Sequence, residues 1–240
     1  MSALSIVVPV LDEAAEIEAA LRALAPYRAR GAEVIVVDGG SADGTAALAA
    51  PLADSVMIAP RGRASQMNAG AAAASADVLL FLHADTRLPE DADRLLTGGL
   101  AASRRVWGRF DLGFDSGGLL RLVAAMMNLR SRATGIATGD QAIFVTRAAF
   151  ERAGGFPPLA LMEDVALSAR LKRASRPLCL TARVTTAGRR WRRDGLIRTV
   201  LLMWRLRLAF FFGSDPAQLA RRYGDGGKTK PIAAGSAPAP

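Results

Sequence analysis

The sequence predicts an α/β sandwich built on a largely parallel sheet, and three observations lead there. Short, continuously apolar runs such as Ile6-Val7-Val8, Val34-Ile35-Val36-Val37 and Val78-Leu79-Leu80-Phe81-Leu82 fit strands covered on both faces. Segments with apolar residues at helical spacing stand between them, as the crossover connections of parallel strands require. A chain of 240 residues with 51% hydrophobic residues suits one substantial core.

The elements follow in order. Ser5 to Val10 is a first strand, and Glu13 through Leu24 follows with Ile17, Leu21 and Leu24 on one helical stripe. Glu33 to Asp38 is a second strand, Thr45 to Ala50 a short helix, Ser55 to Ile58 a third strand and Ala64 to Ala74 an alanine-rich helix. Val78 to Leu82 is the fourth strand. Further on, Gly108 to Phe114 alternates like an exposed edge strand, Leu119 to Arg130 reads as a helix, Gln141 to Val145 as a strand and Val165 to Ala174 as a helix.

Leu196 to Phe212 is strongly apolar but carries Arg198, Arg205 and Arg207, and it falls short of the roughly 20 residues that span a bilayer. Arg207 lies well round the helical wheel from Arg205, which predicts no clean apolar face for interfacial binding. A core or homo-oligomer helix is the first expectation and peripheral membrane contact the second. Gly224 to Pro240 lacks periodicity and reads as a disordered tail. Residues 1–223 are expected to form one domain, with a nucleotide-binding half (1–90), an acceptor half (91–195) and a C-terminal helical region (196–223).

Composition removes several functional classes. His83 is the only histidine and Cys179 the only cysteine, which excludes multi-histidine and cysteine-rich zinc sites and an intramolecular disulfide. Oxygen-ligated Mg2+ or Mn2+ is the metal class that survives. The formal charge of +9 attracts anions, whether nucleic acid, membrane or diphosphate, but no nucleic-acid motif with interleaved aromatics is present. The N-terminus enters its first apolar run without a basic region or cleavage site, so a cytoplasmic protein is expected, with the cytoplasmic face of the inner membrane as the peripheral alternative.

The chemistry gathers at strand ends. Phe81-Leu82-His83-Ala84-Asp85-Thr86 delivers an acid from a buried strand into a loop, at the edge where parallel sheets bind ligands. Asp85 there can ligate a hard cation that neutralises the phosphates of a leaving nucleotide. The plain alternative is a satisfied strand-end histidine and a helix-capping carboxylate. Asp38-Gly39-Gly40-Ser41-Ala42-Asp43-Gly44-Thr45 closes the second strand in a tight turn, placing Asp38 where a carboxylate can bond a base or ribose; a capping turn made by Asp43 or Ser41 explains the segment equally well.

Taken together, the segments resemble the inverting glycosyltransferases of family two, which have the GT-A fold. Ser5-Ile6-Val7-Val8-Pro9-Val10-Leu11-Asp12-Glu13 is similar to the family's opening strand and acidic turn. Val36 to Thr45 resembles its uridine-side loop, and Asn68-Ala69-Gly70 the helix before the metal strand. His83-Ala84-Asp85 stands in place of the D-x-D motif, and Met162-Glu163-Asp164 resembles the acidic pair that holds the catalytic base. The resemblance implies nucleotide contacts from Pro9, Glu13, Asp38, Gly39 and Asp43, a divalent metal (Mn2+ or Mg2+) on Asp85, and Asp164 as the base that deprotonates the acceptor. It adds Asn68, His83, Ala84, Gln141 and Glu163 to the substrate-binding residues. A nucleotide-diphosphate sugar, with UDP-sugars favoured, is the implied donor, and a small molecule or lipid the acceptor.

There are two departures. His83 replaces the first acid of D-x-D, and Ala187 stands where the Gln of a Q-x-x-R-W motif belongs in Gly188-Arg189-Arg190-Trp191. Arg190 suits phosphate and Trp191 a sugar face, against the alternative of a basic loop with one anchoring Trp. Arg61, in Arg61-Gly62-Arg63, is a further phosphate candidate, with a surface turn as its alternative. The blocks Arg61 to Asn68, Gly139-Asp140-Gln141 and Gly188 to Trp191 look like a small bacterial subgroup labelled arsenosugar-biosynthesis-associated or carotenoid-type glycosyltransferases. Sugar-phosphate nucleotidyl transfer and a non-catalytic nucleotide-sugar or membrane-surface module are the competing readings.

Overall fold

The computed structural model describes residues 3–115, 117–188 and 195–225. The chain divides into two compact units, one of residues 1–158 and 163–188, the other of 159–162 and the chain from 189 onward. The first holds an eight-stranded sheet. Its elements are β1 (Leu4–Val10), α1 (Ile17–Ala29), β2 (Glu33–Asp38), α2 (Thr45–Ala49), β3 (Ser55–Ile58), α3 (Arg63–Ala73), β4 (Val78–Phe81), β5 (Thr86–Arg87) and α4 (Ala92–Ala102). They continue with β6 (Trp107–Phe114), α5 (Leu119–Thr134), β7 (Phe144–Thr146), α6 (Arg147–Arg152), α7 (Glu163–Leu171) and β8 (Leu178–Thr186).

The strand order is β3-β2-β1-β4-β7-β6-β8-β5. Strands β3, β2, β1 and β4 are parallel, with Val10 opposite Asp38 and Val7 opposite Phe81. Strand β7 runs antiparallel to β4 and to β6, while β6 and β8 are parallel and β5 closes antiparallel on β8. The carboxyl ends of β1, β2, β4, β6 and β8 therefore share one edge with the amino end of β7.

Period-two alternation sorts the core onto the two faces. Ile6, Val8, Val10, Val34, Val36, Leu80 and Phe144 pack with Ile17, Leu21 and Leu24 of α1 and Leu96 of α4. Val7, Ile35, Val37, Leu79, Phe81 and Val145 pack on the other face with Met67 of α3, Phe150 of α6 and Leu167 of α7. Each such side chain stabilises the fold by roughly 1.5–3 kcal/mol. Helix α3 lies so close to the sheet that a Cβ at Gly70 would sit 2.4 Å from Val7 Cγ1 and 2.9 Å from Val37 Cγ2, which is why glycine stands there.

Three sequence expectations are corrected. Gly108 to Phe114 is no edge strand: β6 lies between β7 and β8, with residues 107–110 buried. Its alternating polar residue Arg109 is wholly buried instead, in an ion pair with Asp111 and a hydrogen bond to the Asn128 carbonyl. The strand expected from Gln141 begins only at Phe144, because residues 139–141 form a 3-10 turn followed by Ala142 at φ 48°. The first helix starts at Ile17 rather than Glu13. Asp12 adopts φ 53°, and the amides of residues 12–14 bond across to Ser41 Oγ, Thr45 Oγ1 and Asp43 Oδ2, which keeps the chain out of the helix.

The second unit contains α8 (Leu196–Phe211) and α9 (Pro216–Asp225). The chain is thus helical through Gly224 and Asp225, and the remainder of the expected tail lies outside the described residues. Among the described residues no helix is long and apolar enough to cross a membrane.

Candidate active site

The carboxyl edge of the sheet is stitched together by side chains that the sequence placed in separate motifs. Gln66, buried on α3, donates its amide to the carbonyls of Val10 (2.7 Å) and Val37 (2.8 Å), fixing the ends of β1 and β2 side by side. Gly39, whose N–H bonds the Val10 carbonyl at 2.9 Å, packs directly against that amide. Pro9 is half-buried inside β1 opposite Val37.

Two loops then clasp each other across this edge. Asp12 Oδ1 accepts from the Ala42 N–H and Ser41 Oγ from the Asp12 N–H, both at 2.9 Å. Asp43 accepts from the Ala14 N–H (2.9 Å) and, through its other oxygen, from the Thr45 N–H and hydroxyl. These bonds, that from Thr45 foremost, hold the Asp43 carboxyl below its ordinary range. Glu13 is held by its own N–H to Thr45 Oγ1 at 2.9 Å. Asp38 is buried and accepts from the Ser41 hydroxyl and from the Ser41 N–H at 3.0 Å. An ionised carboxylate has about four acceptor positions, so these two bonds fix its direction and leave capacity for a ligand. Arg61 lies 4.0 Å from Asp12 Oδ2 with both side chains exposed.

The loop after β4 forms the other half. Asp85 is exposed; its carboxylate accepts from Thr86 Oγ1 at 3.1 Å and its carbonyl from the Ala187 N–H at 3.1 Å. The residue in place of the family's Gln is thereby tied to the backbone of the metal candidate. Ala84 is half-buried against the core. His83 packs on Gly139 and turns Nδ1 toward Asp140 Oδ1 at 3.5 Å. Burial opposes its charge, but the hydrogen bond to Asp140, with the charges of Asp140 and Asp85, outweighs this and raises the imidazole above its usual value.

Gly139 also joins His83 to the acidic pair, since its N–H donates to Asp164 Oδ2 at 2.7 Å. The other Asp164 oxygen accepts from the Val165 N–H at 2.7 Å. Helix α7 begins one residue earlier, at Glu163, so Asp164 sits inside the first turn, where the helix N-terminus favours negative charge. Glu163 is buried; burial and then the Asp164 charge push its carboxyl up, while Arg63 and His83 pull it the other way.

Gln141, in the turn that leads into β7, and Asn68, on α3, bond other parts of the protein. Gln141 is fully buried, its amide reaching Asn128 Oδ1 at 3.3 Å and its carbonyl oxygen accepting from the Thr138 N–H at 3.3 Å. Asn68 bonds both the N–H and the carbonyl of Phe156, at 2.9 and 2.8 Å. Both hold loops. Arg190 and Trp191 lie outside the described residues. Gly139 and Asp140 are neighbours absent from the site residues expected from sequence, although both stand in the Gly139-Asp140-Gln141 block, and Arg63, from the expected phosphate segment, acts electrostatically on Glu163 and His83.

Asp85 suits a divalent cation in one respect, an exposed carboxylate at a ligand-binding edge. Among the described residues no group of three or more His, Cys, Asp or Glu gathers as a metal cage. A cation here would take its remaining oxygens from phosphate and water, as Mg2+ commonly does.

A fold of this kind with its acidic edge defines a GT-A type glycosyltransferase domain, and the comparisons agree. The model of "Glycosyl transferase family 2" matches residues 5–152, more than half of the chain. The protein belongs to that family. Similar solved structures include Staphylococcus aureus TarS 1-349 in complex with UDP-GlcNAc (TM-score 0.64, 17% identity, 78% of this chain and 58% of that one). Others are the mannosyltransferase PcManGT of Pyrobaculum calidifontis with GDP-Man and Mn2+ (0.61, 21%, 93% and 69%), and glucosyl-3-phosphoglycerate synthase of Mycobacterium tuberculosis with Mn2+, UDP and glucosyl-3-phosphoglycerate (0.55, 18%, 77% and 71%). The chain thus spans 58% of the TarS structure's length. No curated protein matches.

Proposed function

We propose that the protein transfers a sugar from a nucleotide-diphosphate donor, UDP-sugars foremost, to a small-molecule or lipid acceptor in one inverting displacement. The observation that carries this reading is the convergence of Asp38, Asp85 and Asp164 on one sheet edge, with the last two linked through His83 and Gly139. Solved relatives of the same fold bind UDP-GlcNAc, GDP-Man with Mn2+, and UDP with Mn2+, which supports the donor class and the metal.

Asp38, aimed by Ser41, would accept from the base or ribose, with Glu13, Gly39 and the Asp12–Asp43 loop clasp shaping that end. Arg61 and Arg63 would face the diphosphate. Asp85 would hold the cation, whose charge stabilises the departing diphosphate. On the other side of the sugar, the acceptor hydroxyl oxygen attacks the anomeric carbon as the bond to the diphosphate oxygen breaks. The hydroxyl proton passes to Asp164, and the bonding electrons leave with the diphosphate. The Gly139 and Val165 N–H groups fix Asp164 beside the buried Glu163, whose carboxyl is pushed up by burial first and by the neighbouring Asp164 second. Residues of the blocks that resemble the bacterial subgroup act as joints of this frame: Gln66 ties β1 to β2 and Gly139 ties His83 to Asp164.

The test is product stereochemistry. Incubation with Mn2+, α-linked UDP- and GDP-sugars and an acceptor panel should release nucleoside diphosphate and give β-linked product by NMR. Retention of the anomeric configuration, or pyrophosphate release from a nucleoside triphosphate and a sugar phosphate, would overturn the assignment.

A further inference from the structure

Helix α8 carries an exposed apolar surface of its own, in the unit that does not contain Asp38, Asp85 and Asp164. Leu201, Trp204, Leu208, Phe211 and the adjoining Phe212 are 58%, 62%, 60%, 82% and 76% exposed, whereas Thr199 and Leu206 are buried. At about 100° per residue the five exposed side chains fall within an arc of roughly 100°. Arg198 and Arg205, both exposed, border one side of that arc and Arg207 the other. The expectation that the arginines spoil the face is therefore reversed: they frame it.

We infer that α8 docks the protein onto the surface of an anionic lipid bilayer, with Trp204, Leu208 and Phe211 entering the headgroup boundary and the flanking arginines meeting lipid phosphates. Three properties select this occupant. The helix has 16 residues, too short to span, so its apolar face is suited to lie in the interface plane. Its composition, aromatic and leucine side chains edged by arginine, is that of an interfacial helix. The third is charge: α8 contains three arginines and no acidic residue. Isologous pairing with a second copy would set arginine against arginine across the twofold, whereas anionic headgroups complement the exposed Arg198 and Arg205. The inference does not depend on the identity of donor or acceptor.

The experiment is co-sedimentation of the full chain with vesicles of phosphatidylcholine alone or mixed with phosphatidylglycerol. Binding to the mixed vesicles should be at least about tenfold tighter, since each arginine near the surface contributes about 1 kcal/mol. Trp204→Ala with Phe211→Ala should weaken binding at least about tenfold, given the apolar area withdrawn. Arg198→Gln with Arg205→Gln, confined to exposed side chains, should erase most of the anionic preference while leaving nucleotide affinity and the circular dichroism spectrum unchanged. Equal or absent binding to the two vesicle types would overturn the proposal. So would self-association in sedimentation velocity that the Trp204 and Phe211 changes abolish, without vesicle binding in the parent protein.

Discussion

Gly139→Ala tests how tightly the two halves of the site are coupled. A Cβ on Gly139 would stand 2.5 Å from His83 Cε1 and 2.6 Å from Nε2, where ordinary carbon contacts lie at about 3.5 Å. The imidazole or the turn must therefore move by about 1 Å. Movement of the ring disturbs the loop that carries Asp85; movement of the turn withdraws the N–H that holds Asp164 Oδ2 at 2.7 Å. Either way a reacting group is displaced, and a misplacement of about 1 Å costs on the order of a hundredfold in rate. Overpacking should lower stability by about 1–3 kcal/mol, so rates are to be taken well below the melting transition. Initial rates of donor consumption at saturating donor, beside calorimetric nucleoside diphosphate affinity, are the assay. A turnover number within a small factor of the parent, with the fold intact, would refute the claim that this turn couples His83 to Asp164.

Three further outcomes follow from the geometry. Asp38→Asn should weaken nucleoside diphosphate binding in calorimetry by about 1.5–3 kcal/mol, the range for a hydrogen bond to a charged group, and unchanged affinity for UDP and GDP alike would remove Asp38 from the donor site. Asp85→Ala should abolish any strengthening of that binding by Mn2+ without unfolding the protein, because its exposed carboxylate supports no core contact. Glu163→Gln should stabilise the protein increasingly as pH rises: a carboxyl whose folded pKa is raised stabilises the fold below its unfolded pKa and loses that contribution as pH climbs through the folded value. Thermal melts across acidic to neutral pH check the sign, and a variant that loses stability toward neutral pH would contradict it.

Much of the fold was legible because its apolar runs are local signals. The apolar runs match β2 (Glu33–Asp38) and β3 (Ser55–Ile58) to the residue, and β1, α3 and β4 within one. Strand β6 was misread because period-two alternation does not distinguish solvent from a buried ion pair: Arg109 occupies an outward-looking place in the pattern yet pairs with Asp111 inside the protein. The donor-side candidates were readable from strand ends and tight turns. Their partners were not. That Gly139 lies against His83 follows only from the antiparallel pairing of β7 with β4, where the Phe81 N–H bonds the Ile143 carbonyl, and no local pattern encodes a pairing 62 residues apart. The bond from Gln141 to the buried Asn128 is hidden for a related reason, since a polar residue reads the same in sequence whether it faces a ligand or a buried amide.

The central claim is that Asp164 takes the acceptor proton at a site whose donor half is built separately by Asp38 and Asp85. Its most direct test is Asp164→Asn, assayed for transfer and for nucleoside diphosphate affinity on the same preparation. Removing a positioned general base lowers rates by about 10²–10⁴-fold, so transfer should fall by at least about a hundredfold while affinity stays within a small factor. Near-normal transfer by the variant would contradict the account and leave Asp164 as a clamp on Gly139, with Glu163 or Asp140 next to be examined as the base.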